Sequence, residues 1–122
     1  MNPKVLIVDD SALTRRSLRQ ILESAEYEVA EAEDGLAALE RYFLDKPDVV
    51  LMDLVMRGMY GLEVIQKLRE LDPDARIVVV SADIQTSSQD LAGEVGAAAF
   101  INKPFDRAEI LSALDTALAG AR

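Results

Sequence analysis

The 122-residue sequence contains neither cysteine nor histidine. Without cysteine there is no disulfide framework, no thiolate metal site and no cysteine nucleophile. Without histidine the commonest zinc ligand and the usual general base are missing as well. The apolar runs are far too short to span a bilayer, and the N-terminus lacks the basic-then-apolar pattern of a signal peptide. Basic residues are in the minority, 13 against 22 acidic, leaving a net charge of −9. Such a surface repels phosphate backbones, which argues against direct nucleic-acid binding. Arg15, Arg16 and Arg19 read as one solvated helix face rather than a binding patch. A cytoplasmic protein with no membrane insertion is the simplest expectation.

What is present is an ordinary globular balance, 50% hydrophobic and 29% charged, in a length that suits one domain. Apolar runs and amphipathic stretches alternate throughout. Lys4–Asp9 reads as a buried strand, followed by a helix from Ser11 to Glu23 with Leu18, Ile21, Leu22 and Ala25 on one face. Tyr27–Ala32 alternates polar and apolar, as an edge strand does, and Asp34 caps a helix carrying Leu36, Leu39 and Phe43. A third strand, Val49–Asp53, precedes a helix that opens at Gly61, turns Leu62, Ile65 and Leu68 inward and closes at Asp72-Pro73. Arg76–Ser81 is the most β-branched run and the candidate central strand, and a polar helix spans Thr86 to Val95. Ala98–Asn102 is a fifth strand, and Asp106 with Glu109 starts a last helix in a capping-box pattern, burying Ile110, Leu111, Leu114 and Leu118. Five βα units imply an α/β fold: a single (βα)5 flavodoxin-like domain over 1–122, its five-stranded parallel sheet in the order 2-1-3-4-5 with helices on both faces. The sequence ends with its last helix, so no output domain is expected to follow.

Sites in open parallel sheets form beyond the carboxyl ends of the strands. Those ends carry Asp9-Asp10, Asp53, Ser81 and Lys103, whereas the second strand ends near Glu33 at the far edge. Each has a plainer reading: Asp10 ahead of Ser11 fits a helix cap, Ser81 a turn residue, Lys103 a surface lysine and Phe100 a core ring. Four such groups at one edge of one sheet favour a site. Two adjacent carboxylates after a buried strand repel each other, so something positive must meet them. Oxygen donors without nitrogen or sulfur favour Mg²⁺, with Lys103 assisting. Acids and ion together suit phosphoryl transfer, with an aspartyl-phosphate as the covalent state.

With VDDS at Val8–Ser11, LMDLVM around Asp53, VVVSA ending at Ser81-Ala82 and FINKPF at Phe100–Phe105, the whole chain resembles the response regulator receiver family, the CheY-like phosphoacceptor domains of two-component signalling. The resemblance implies that Asp53 accepts a phosphoryl group from a sensor histidine kinase or phosphotransfer protein. It implies that Asp10, Asp53 and the Val55 backbone carbonyl ligate Mg²⁺, with Asp9 acting mainly through coordinated water. Lys103 would pair with one phosphoryl oxygen and the Ser81 hydroxyl with another, and the Lys103–Pro104 peptide would be cis. Ser81 and Phe100 would form the switch that reshapes the face made by the fourth helix, fifth strand and fifth helix. A downstream protein would dock there, a phosphatase is a further partner, and the chain would be a monomer or weak dimer. That makes it a phosphorylation-controlled binding module, not an enzyme, of chemotaxis or phosphorelay type.

Three departures from the family pattern stand out. Arg57 stands where proline is frequent, Phe100 replaces a tyrosine found in many relatives, and Val55 and Asp83 occupy positions that tune water attack on the phosphate. Among alternatives, a haloacid-dehalogenase-type phosphatase has a second acid two residues past its nucleophile, and here that residue is Val55. A flavodoxin-type cofactor binder needs a Ser/Thr/Gly-rich loop where Asp9 and Asp10 stand. A receiver fragment of a larger regulator would read identically.

Overall fold

The computed structural model describes residues 2–56, 60–82 and 86–119. Along the chain run β1 (Lys4–Val8), α1 (Ala12–Ser24), β2 (Glu28–Ala32), α2 (Gly35–Asp45), β3 (Val49–Met52) and α3 (Gly61–Leu71). They are followed by β4 (Ile77–Ser81), α4 (Thr86–Glu94), β5 (Ala99–Asn102) and α5 (Arg107–Ala119). The strands pair in parallel in the order β2-β1-β3-β4-β5. The expected fold is therefore the observed one. β3 rather than β4 is the middle strand, although β4 is an interior strand buried along its length. Arg57, with the start of its RGMYG loop, and Asp83 lie outside the described residues.

Side chains alternate across each strand and divide the core into two layers. Val5, Ile7, Leu51, Val78 and Val80 pack with Leu18 and Leu22 of α1 and with Ile110 and Leu114 of α5. Leu6, Val8, Met52, Ile77 and Val79 pack with α2, α3 and α4 through Ala38, Tyr42, Ile65, Leu68 and Ala92. Interior strands covered on both faces read as unbroken apolar runs for this reason.

Local chemistry sets most helix ends. Ser11, not Asp10, caps α1, its Oγ accepting from the Thr14 N–H at 3.2 Å. Asp34 Oδ1 accepts from the Ala37 N–H at 2.8 Å at the start of α2. The Asp106 and Glu109 side chains each accept from the other's N–H, at 2.8 and 3.2 Å, closing the expected capping box.

Two faces differ from expectation. In α2 the inward stripe is Gly35, Ala38 and Tyr42, while Leu36 and Phe43 are 66% and 48% exposed. The small residues let the helix approach the sheet, and Tyr42 reaches across to donate to Asp72 at 2.7 Å. Arg15 and Arg19 are not a solvated face either. Both are tied to Glu31 of β2, at 3.0 and 2.6 Å.

Gly61 sits where its Cα faces the chain just past β3. A Cβ there would come within 2.6 Å of the Leu54 Cα and would also strike the Asp53 carbonyl oxygen. Both obstacles are backbone, so Gly61→Ala forces the loop apart and should cost about 1–3 kcal/mol in denaturant unfolding. Tyr42→Phe removes only the bond to Asp72 and should cost about 1 kcal/mol by the same measurement.

Candidate functional site

Sheet register assembles the site. Val8 of β1 lies opposite Met52 of β3, and the Asp53 N–H continues that ladder to the Val8 carbonyl at 2.9 Å. Asp9 and Asp53, the next residue on each strand, consequently emerge side by side. On the other flank Ser81 pairs with Asn102, and the Lys103 N–H bonds the Ser81 carbonyl at 2.9 Å. Four of the expected groups thus share one end of the sheet because adjacent strands end level. The Lys103–Pro104 peptide that follows β5 is cis.

Asp9, Asp53 and Ser81 are buried, at 2%, 7% and 0% exposure. Asp9 Oδ1 accepts from the Ser11 N–H at 2.8 Å, and its Oδ2 accepts from the Lys103 ammonium, also at 2.8 Å. The same ammonium lies 3.4 Å from Asp53 Oδ2, while the Val55 N–H reaches Asp53 Oδ1 at 3.3 Å. The Val55 side chain points outward, 59% exposed. Asp10 closes the group: one carboxylate oxygen from each of Asp9, Asp10 and Asp53 lies within 4.8 Å of the others.

Burial is the largest influence on Asp53 and pushes its carboxyl above the usual range. Lys103 opposes the rise, Asp9 adds to it, and bonds from the Val55 N–H and the Ser81 hydroxyl only partly offset it. For Lys103, burial disfavours the charged form, but the bond to Asp9 and the charges of Asp53 and Asp9 outweigh it and hold the ammonium above its ordinary pKa. The lysine is therefore charged and shared between two carboxylates. Among the described residues, three carboxylates and one ammonium meet in this pocket. Its donors are all oxygen and close enough to converge on one small ion, which fits a hard divalent cation that keeps part of its water shell.

Phe100 packs with the α2–α4 layer and lies opposite Val79. By strand alternation it shares a face with Val79 and Ser81. Two participants escaped the sequence reading. Gly61 presses on the backbone that carries Asp53, and the only hint was its place at a helix start. Arg15 donates to the Asp9 carbonyl at 2.6 Å, and nothing in the local pattern signals that β2 would bring Glu31 to hold it.

Comparison with known proteins agrees with this geometry. Residues 5–115 match the family model described as the response regulator receiver domain. The chain is 43% identical to the chemotaxis protein CheY of Thermotoga maritima over 116 residues, 94% of this chain and 97% of that protein. The Vibrio cholerae chemotaxis protein CheY4 superposes with a TM-score of 0.91 at 30% identity, covering 97% of this chain and all of that one. A CheX-CheY-BeF3-Mg²⁺ complex from Borrelia burgdorferi matches with a TM-score of 0.87 at 34% identity, covering 91% and 85%. With its strand order, its acidic end and these relatives in agreement, the chain belongs to the response regulator receiver family, homologous to CheY and a phosphoacceptor of two-component signalling.

Proposed function

We propose that residues 1–122 form one receiver domain in which Asp53 is the phosphoacceptor. The carrying observation is the placement of its buried carboxylate beside Asp9, Asp10 and the Lys103 ammonium. Asp10, Asp53 and the Val55 backbone carbonyl would hold Mg²⁺, with the Asp9 carboxylate beside them. When bound, the ion offsets the negative charge that accumulates during transfer. An Asp53 oxygen attacks the phosphorus of a phosphohistidine on a sensor histidine kinase or phosphotransfer protein. The P–N bond breaks, its electron pair stays on the imidazole, and an acyl phosphate forms on Asp53.

Lys103 then exchanges its Asp53 contact for a phosphoryl oxygen, and the Ser81 hydroxyl donates to another. The new group adds about −1.5 to −2 charge units and three acceptor oxygens. Ser81 moves toward it, and Phe100, on the same sheet face, takes up the vacated space. Together they switch the surface of α4, β5 and α5 on which a downstream protein docks. This shifts a two-state equilibrium rather than creating a new fold. Exposed Val55 offers no polar group to orient the water that removes the phosphate. On this reading the chain is a cytoplasmic binding module of chemotaxis type, a monomer or weak dimer, served by a kinase and a phosphatase. Likeness to several CheY proteins supports that assignment. Among the described residues no helix is long and apolar enough to cross a membrane.

Incubation with acetyl phosphate and Mg²⁺ should add one phosphate, read by intact mass, and Asp53→Asn should abolish it. Equal labelling of the variant would exclude Asp53 as acceptor. The raised Asp53 pKa adds a second expectation. Its ionised form is less favourable in the folded than in the unfolded chain. That cost is absent below the unfolded pKa and complete above the higher folded one. Metal-free Asp53→Asn should therefore melt higher than the parent at neutral pH, with the gain vanishing in acid. Lys103→Ala should retain Mg²⁺ binding yet fail to couple phosphorylation to the conformational change, read by amide shifts in β5. A normal response in that variant would remove the lysine from the switch.

A further inference from the structure

We propose that Arg15, oriented by Glu31, is a positioning residue that sets the geometry of the acidic loop and through it the affinity for Mg²⁺. The inference rests on the metal reading above and extends it to β2, the strand that contributes no group to the pocket itself.

Asp9 is held at every polar atom. Its N–H donates to the Ala32 carbonyl at 3.2 Å, and its carboxylate takes the Ser11 N–H and Lys103. The fourth restraint is the Arg15 guanidinium, whose Nη1 donates to the Asp9 carbonyl at 2.6 Å. That carbonyl belongs to the peptide joining Asp9 to Asp10. Fixing its plane fixes the direction in which the Asp10 side chain leaves the backbone.

A long side chain is a poor restraint unless something holds it, because its rotamer freedom must be given up. Glu31 supplies that hold. One of its oxygens accepts from Arg15 Nε at 3.0 Å, and the other accepts from Arg19 Nε at 2.6 Å. Arg19 is itself braced by Glu23 at 3.0 Å. The Arg15 side chain is only 15% exposed, unlike an ordinary surface ion pair. Burial works against the charged Glu31, yet the two arginines hold its carboxyl below the usual range. The four groups carry two positive and two negative charges, so the network delivers orientation with little net field at the pocket.

Positioning and simple electrostatics predict opposite signs for one substitution. A guanidinium beside a cation site disfavours the cation, so if charge alone mattered, Arg15→Gln would tighten Mg²⁺ binding. If Arg15 positions the loop, its loss weakens binding, and Glu31→Gln does the same by releasing the arginine. Partners that orient metal ligands in this indirect way typically change metal affinity by about tenfold or more.

The test is calorimetric titration of Mg²⁺ into the full chain and into Arg15→Gln, Glu31→Gln, the double variant and Arg16→Gln, with Ser11 amide exchange by NMR. Arg16 is an exposed neighbour on the same helix and serves as the control. The expected result is a roughly tenfold weaker Mg²⁺ affinity in each network variant, no further loss in the double, faster Ser11 exchange, and a parent-like Arg16→Gln. Should Arg15→Gln fold poorly, Arg15→Lys replaces it; it keeps the charge but lacks the fork that spans Glu31 and Asp9, and the same loss is expected. Unchanged or tighter binding in the Arg15 variants, or losses that multiply in the double, would overturn the positioning role while leaving the metal site standing. A parent chain that ignores Mg²⁺ would instead overturn the metal reading on which the inference rests.

Discussion

Like charges forced together under burial are the constraint around which this molecule is built. Asp9 and Asp53 end adjacent strands at the same level, both buried, with Asp10 completing the cluster. In water such a group would be dispersed by repulsion, and in a poorly solvated pocket the cost of charging it is larger. The fold meets that cost with Lys103, which lies 94 residues from Asp9 in sequence and reaches it because β5 and β1 belong to one sheet. Asp9, Asp10 and Asp53 each offer an oxygen close enough to the others to be shared by one small cation.

The proposed switch would draw on the same arrangement. Lys103 at rest is shared between two carboxylates, the shorter bond going to Asp9. A contact held at 3.4 Å is one that the lysine can surrender to a better acceptor. Ser81, already bonded to Asp53, ends the strand next to β5, where Phe100 stands opposite Val79 on the same face. Phosphorylation in this account needs no large rearrangement. It redirects one ammonium and one hydroxyl.

Much of this is legible in the sequence because it depends on periodicity and on the ends of strands. Apolar runs that stop at Asp9, Asp53, Ser81 and Lys103 specify both a parallel sheet and the residues at its carboxyl edge. Capping at Asp34 and Asp106 is legible for a similar reason, since the partners are three residues away. Readings failed where a second element decided the outcome. Leu36 and Phe43 form as good an apolar stripe as Ala38 and Tyr42, and only close approach to the sheet and the Asp72 acceptor select the latter. Arg15 and Arg19 look solvated until β2 pairs with β1 and presents Glu31. Asp10 and Ser11 are both good caps, and the choice falls to Ser11 as Asp10 turns to the acidic cluster.

The proposed chemistry requires one divalent cation to bind among Asp9, Asp10 and Asp53. Thermal melting of the unphosphorylated chain across a Mg²⁺ series at constant ionic strength tests it most directly. The midpoint should climb with the logarithm of Mg²⁺ concentration, reaching about 2.7 kcal/mol of added stability at a hundredfold excess over Kd. A midpoint that stays flat across the series would contradict it.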